Sequence, residues 1–108
     1  MPFLSFKTAW PFTALQFSCV LTCTVFKDFA PDHKDWLYLG ISAPNGRSVK
    51  RKAEFYAGRA CARQALQILL PNQTAHLSKH PEHGFVLWPT GSCGAITHSQ
   101  GFAAAIVA

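Results

Sequence analysis

Apolar residues recur at three- and four-residue steps through the middle of the chain and give way to denser apolar runs on either side. From about Ser48 to Leu70, Phe55, Gly58, Ala62, Ala65, Leu66 and Leu69 follow one face of a 3.6-residue period, which predicts an amphipathic helix. Ser48 stands where a capping oxygen belongs, and Pro71-Asn72 stops the run. Gly58 lies in the middle of this helix, where glycine costs about 1 kcal/mol relative to alanine. A neighbour approaching the backbone closely is the expected reason.

Residues 14 to 18 and 20 to 26, rich in Phe, Val and Thr, predict two strands. "KDFAPDHKDWLYLGISAPNGRS" mixes charge, Pro31, Pro44 and Asn45-Gly46, and reads as a loop around a short helical or extended piece near Asp35 to Leu39. Beyond the helix, "NQTAHLSKHPEHG" is polar and loop-like. "FVLW" then predicts a strand, "PTGSCG" a turn, "AITHS" a strand, Gln100-Gly101 a tight turn and "FAAAIVA" a buried strand. Strands, one long helix, then strands make an α+β fold, and 108 residues suffice for one domain, 1–108, but not two.

Charge changes this picture in two ways. Only 14% of residues are charged, against roughly 25% in ordinary soluble domains, so part of the apolar surface is expected to be covered by something else. The net charge of +5 is concentrated between Asn45 and Gln64, where Arg47, Lys50, Arg51, Lys52, Arg59 and Arg63 face Glu54 alone. On a helix Lys52 and Arg59 lie about 20° apart, with Arg63 continuing the row. A solvated helix face is the ordinary explanation, and an anionic ligand is the functional one. A nucleic-acid-binding domain is the weaker form of the latter, because no aromatic stacking platform or known motif accompanies the cations.

Cys19, Cys23, Cys61 and Cys93 show no C-x-x-C pair and no disulfide framework, so they read as reduced, mostly buried thiols in a cytoplasmic protein. The uncharged stretch 9–26 is interrupted by Pro11, Thr13, Gln16, Ser18, Thr22 and Thr24. It reads as strands in preference to a signal or a membrane span, which needs ~20 predominantly apolar residues.

Few residues carry chemistry. Cys93, His98 and Ser99 cluster, but no carboxylate follows Glu82 to orient a nucleophile–base pair. His76, His80 and His83 flank Pro81 without the paired short spacings of structural zinc, and read as solvated loop histidines. Asp28, Asp32 and Asp35 form no D-x-D or D-x-E and offer no metal site. What remains is Thr97-His98-Ser99 beside the cationic helix. A lone histidine at a strand end is ordinarily structural, yet imidazole, hydroxyl and guanidinium donors together are what phosphate oxygens require.

"RKAEFYAGRACARQAL" at 51–66, followed by "WPTGSCGAITHSQGFAAAIVA" at 88–108, resembles the amino-terminal half of a 4'-phosphopantetheinyl transferase of the Sfp type, within it the enterobactin synthase component D group. There an R-K-x-E-x-x-x-G-R-x-x-A-x-x-A-L helix precedes a W-P-x-G-x-x-G-S-I-[ST]-H-[SC] hairpin. The likeness covers 48–108 well and 11–47 loosely, and "PFTALQF" resembles the group's first strand. Ahead of Trp88 the chain has Gly84-Phe85-Val86 in place of the group's Gly-[Lys/Arg/Glu]-Pro step, and Ala95 replaces a frequent serine.

The resemblance implies one lobe of a two-lobed α+β fold, a long helix on a small, mostly antiparallel sheet, with coenzyme A between the lobes. It implies magnesium-dependent transfer of phosphopantetheine from coenzyme A to a serine of an acyl, peptidyl or aryl carrier protein, in siderophore, nonribosomal peptide or polyketide biosynthesis. By position, Arg51 and Arg59 match arginines that grip the 3'-phosphate end, and Thr97 and His98 match the hydroxyl and histidine that touch the phosphates. The D-x-E strand and W-x-x-K-E helix, which hold magnesium and the general base in that family, have no counterpart in these 108 residues. The chain is therefore expected to bind coenzyme A without catalysing transfer by itself, as a truncated product, a split-gene fragment with a separate carboxy-terminal half as partner, or an isolated amino-terminal domain. A catalytically dead coenzyme A-binding remnant is the alternative.

Overall fold

The computed structural model describes residues 7–8, 19–27, 29–41, 46, 48–72, 77–79 and 86–108. The expected strand at 14–18, Arg47, Asp28 and the histidines at 76, 80 and 83 lie outside them.

The predicted long helix is present as α2, Val49–Leu69. Ser48 begins it: its Oγ accepts from the Arg51 N–H at 3.2 Å, and its carbonyl accepts from Lys52 at 2.9 Å. At the other end the Leu70 N–H reaches the Leu66 carbonyl at 2.7 Å, and Pro71 has no N–H with which to continue. The buried face is wider than the periodic residues suggested, because it also takes in Ala53, Tyr56, Ala57, Ala60 and Cys61. Its small side chains let the helix axis lie close to the sheet beneath.

That sheet has four strands: β1 (Lys7–Thr8), β2 (Val20–Val25), β5 (Gly94–Ser99) and β6 (Phe102–Val107), in the order β1-β2-β6-β5 and antiparallel throughout. β5 and β6 form the expected hairpin through Gln100-Gly101, where Gly101 has φ 74° and glycine carries no Cβ penalty. The ladder pairs His98 with Ala103 and Thr97 with Ala104. It is prolonged by reciprocal Cys93–Ala108 bonds of 3.0 and 2.9 Å. Alternation along the strands turns Thr22, Thr24, Ala103, Ala105 and Val107 to α2, all of them buried. Leu21, Cys23, Val25, Phe102 and Ile106 alternate with them on the far face, where Val25 is 76% exposed. "FAAAIVA" is thus buried on one side only, with Phe102 open to solvent.

The piece expected near Asp35 to Leu39 is helix α1, His33–Leu39. It starts at a capping box in which the Asp32 and Asp35 carboxylates each accept the other's backbone N–H, at 3.0 and 2.9 Å. Trp36 packs edge-on against Tyr56 of α2, and Phe29 does the same, with ring centroids at 5.4 and 5.6 Å. The region read as a polar loop is partly structured: β3 (Ser78–Lys79) pairs with β4 (Val86–Leu87) in a separate two-stranded sheet. Two residues joined by backbone bonds leave no side-chain period to read. Of "FVLW", Val86 and Leu87 are strand, Trp88 has left it, and Phe85 lies outside the described residues.

All four cysteines are free. Cys61 lies against the sheet, with its thiol directed to the Ala103 carbonyl at 3.7 Å. Burial, reinforced by nearby Cys23, pushes its pKa up to about 12. Burial, with Asp35 adding to it, likewise drives the Tyr56 phenol upward. A raised pKa stabilises the fold fully below the unfolded thiol's value, near 8.5. Above it the unfolded chain releases a proton that the folded chain retains. Denaturant midpoints should therefore fall as pH rises from about 8.5, by up to ~1.4 kcal/mol per pH unit from this one thiol. Cys61→Ala should flatten that limb; an unchanged slope would contradict the assignment.

Among the described residues no helix is long and apolar enough to cross a membrane.

Candidate functional site

The site begins with a missing side chain. A Cβ built on Gly58 would come within 2.8 Å of Ile96 Cγ2 and 3.8 Å of His98 Cδ2, so the neighbour expected at this glycine is strand β5. Gly58 lets β5 approach α2, and alternation then puts Ile96 and His98 on the helix side.

The turn before β5 supplies a wall. The Pro89 carbonyl accepts from the Ser92 N–H at 3.0 Å and from its hydroxyl at 2.6 Å, while Gly91 takes φ 84°. At Gly94 a Cβ would stand 2.7 Å from the Ile106 carbonyl oxygen and 2.7 Å from the Trp88 ring. The indole thus lies directly on bare backbone, which explains the tryptophan and the last glycine of the W-P-x-G-x-x-G stretch.

Between this wall and α2 opens a cleft of about 480 Å³, within the usual range for small-molecule sites. Val86, Trp88, Ile96 and Phe55 make its apolar lining, and Arg59 and His98 supply its polar groups. The Arg59 guanidinium rests over the Phe55 ring, 4.7 Å from the centroid. Such stacking holds the planar head in place beside the cleft.

His98 has a partner that sequence reasoning missed. Its Nδ1 lies 3.5 Å from Glu54 Oε2, and the Glu54 residue is only 7% exposed. A carboxylate so buried needs a compensating charge or donors. Among the described residues, the imidazole of His98 is the group within ion-pair distance. One sign of this pairing is present in the sequence. Glu54 precedes Gly58 by four residues, so both share a helix face, and whatever packs on the glycine also meets the glutamate. Glu54 lies far upstream of His98 in the chain, so only the packing of β5 on α2 brings them together.

The four expected binding residues do not all meet. Arg59 and His98 line the one cleft. Arg51 is exposed in the first turn of α2, two turns back from Arg59 and about 12 Å along the axis. Thr97 alternates with His98 and is exposed on the far side of β5, beside Leu21, Ala104 and Ile106. The cationic row is also divided, because the Arg63 guanidinium lies over the Tyr38 ring of α1, 4.1 Å from its centroid.

Among the described residues no three His, Cys, Asp or Glu side chains gather as a metal would need. Glu54, the carboxylate beside the cleft, is already engaged with His98.

No curated protein matches the chain. A family model does, described as the 4'-phosphopantetheinyl transferase N-terminal domain, over residues 46–108. The match opens just before the Ser48 cap and carries through α2, the Trp88 turn and the β5–β6 hairpin, so every described wall of the cleft falls within it. By this match over more than half its length, and with the α+β lobe to go with it, the chain belongs to the 4'-phosphopantetheinyl transferase family.

Proposed function

We propose that the cleft binds the phosphate-bearing nucleotide end of coenzyme A, as the amino-terminal share of an enzyme that moves phosphopantetheine to a carrier-protein serine. One observation carries this: Arg59 on α2 and His98 on β5 converge on a single apolar-walled cleft, inside the segment that defines the family. A guanidinium and an imidazole meet phosphate oxygens with charge-assisted bonds, and the Trp88 and Phe55 surfaces suit the uncharged part of such a ligand. Arg59 serves the 3'-phosphate end, and Arg51 adds to it from the solvent side. Thr97 acts at the margin, through whatever covers the far side of β5.

The resemblance to the enterobactin synthase component D group extends the reading to aryl, acyl or peptidyl carriers of siderophore and related pathways, in the cytoplasm. Magnesium and the general base belong on this reading to a carboxy-terminal lobe. The 108 residues then bind without transferring until that lobe is supplied. The division of the cations between cleft and Tyr38 supports a compact anionic ligand over a nucleic-acid strand.

Calorimetric titration with coenzyme A and with 3'-dephospho-coenzyme A tests the reading. Losing one doubly charged group held by charge-assisted bonds, each contributing ~1.5–3 kcal/mol, should weaken binding by roughly 10- to 100-fold. Equal affinities would overturn the proposed grip.

A further inference from the structure

We propose that Glu54 is a positioning residue that makes anion binding at His98 depend on a proton, an inference that rests on the cleft taking a phosphate. The two ring nitrogens of His98 have different neighbours. Nδ1 faces the Glu54 carboxylate at 3.5 Å, which leaves Nε2 for the ligand. A carboxylate offers lone pairs and no proton, and so does a phosphate oxygen. A neutral imidazole has one N–H, so one of its two nitrogens would turn a lone pair towards an anion. Only the imidazolium, with a proton on each nitrogen, satisfies both neighbours.

Among the described residues that line the cleft, none besides His98 titrates near neutral pH. From α2, Glu54 and Arg59 face the ring, and Arg59 keeps its charge throughout. Its ladder neighbour on β6 is Ala103, and Val86 of β4 and Trp88 are apolar. Glu54 is buried at 7% while the His98 side chain is 38% exposed. The carboxylate is thus fixed inside and the imidazole is reachable from outside. Ligand, imidazolium and carboxylate form a line in which the middle member must be charged.

The test is calorimetry on the whole chain, with coenzyme A as probe, in buffers of differing ionisation enthalpy at pH 7.5 to 8.5. Wild type should take up more protons per ligand than His98→Gln, and its affinity should fall more steeply than that variant's as pH rises over that range. Titration of the ligand's own phosphates is common to both proteins and cancels.

Glu54→Gln gives the sharper contrast. An amide can donate to Nδ1, so a neutral ring can then offer Nε2–H to phosphate. This variant should bind with no excess proton uptake and a flat pH profile. A purely structural glutamate would lower stability in that variant and leave the proton count at the wild-type value, which would overturn the proposal. Equal counts for wild type and His98→Gln would overturn it as well. Wild type that binds coenzyme A without the excess refutes the proton link alone, whereas wild type that binds neither coenzyme A nor inorganic pyrophosphate refutes the phosphate reading along with it.

Discussion

Arg59→Ala and His98→Ala should each weaken coenzyme A binding by roughly 10- to 100-fold, the equivalent of ~1.5–3 kcal/mol for one charge-assisted contact. Both side chains line the cleft. Arg59→Ala should change fold stability far less than affinity, whereas His98→Ala also leaves the buried Glu54 carboxylate without its partner and should lower stability as well. Arg59→Lys should recover only part of the loss. A lysine keeps the charge but lacks the planar fork that lies on Phe55 and presents paired donors. Arg51→Ala should cost less, because that side chain is solvent-exposed about two turns away, where water screens its attraction. Thr97→Val should cost least, since its hydroxyl lies across the strand from His98. Calorimetry at one fixed salt concentration ranks all five. A Thr97→Val loss larger than that of His98→Ala would contradict the cleft.

The second large effect concerns the fold. Gly94→Ala should destabilise the protein by about 3 kcal/mol, the upper part of the overpacking range, and lower the melting temperature by on the order of 10 °C. The added methyl would meet the Ile106 carbonyl oxygen and two atoms of the Trp88 ring at 2.7 to 2.8 Å. The carbonyl belongs to the neighbouring strand and cannot retreat without disturbing the ladder. The indole must move instead, and it moves into the cleft, so coenzyme A binding should fall together with stability. A methyl at Gly58 meets one close side-chain carbon, Ile96 Cγ2 at 2.8 Å, and gains about 1 kcal/mol of helix propensity. Its net cost should therefore be smaller. Thermal melts of the two variants side by side decide this; a Gly94→Ala protein as stable as wild type would show that the Trp88 packing is wrong.

Much of this architecture was readable beforehand because it rests on local rules. The long helix announced itself through its period, its Ser48 cap and its Pro71 stop, and the hairpin through Gln100-Gly101. Gly58 was correctly read as a point of close approach, since a helix interior tolerates glycine only for a reason. β3 was not readable, because two residues joined by backbone bonds carry no pattern.

The site was half legible for a different reason. Residue types suggest phosphate-binding chemistry, and the helix and hairpin motifs point to the family that the residue 46–108 match shows. Which side chains share a cavity depends on how elements pack. Adjacent residues on a strand point to opposite faces, which separates Thr97 from His98. Arg63, four residues beyond Arg59, is taken by Tyr38 of α1. Glu54 looked like one acid among many bases until β5 was placed over Gly58.

Nuclear magnetic resonance of the isotopically labelled chain, titrated with coenzyme A, tests the convergence of Arg59 and His98 most directly. Saturable shifts should concentrate on the Arg59 Nε–H, the His98 ring and the Trp88 indole, with the far-face residues Leu21, Cys23 and Ile106 unmoved. Shifts confined to that far face, or spread evenly over the exposed lysines, would contradict it.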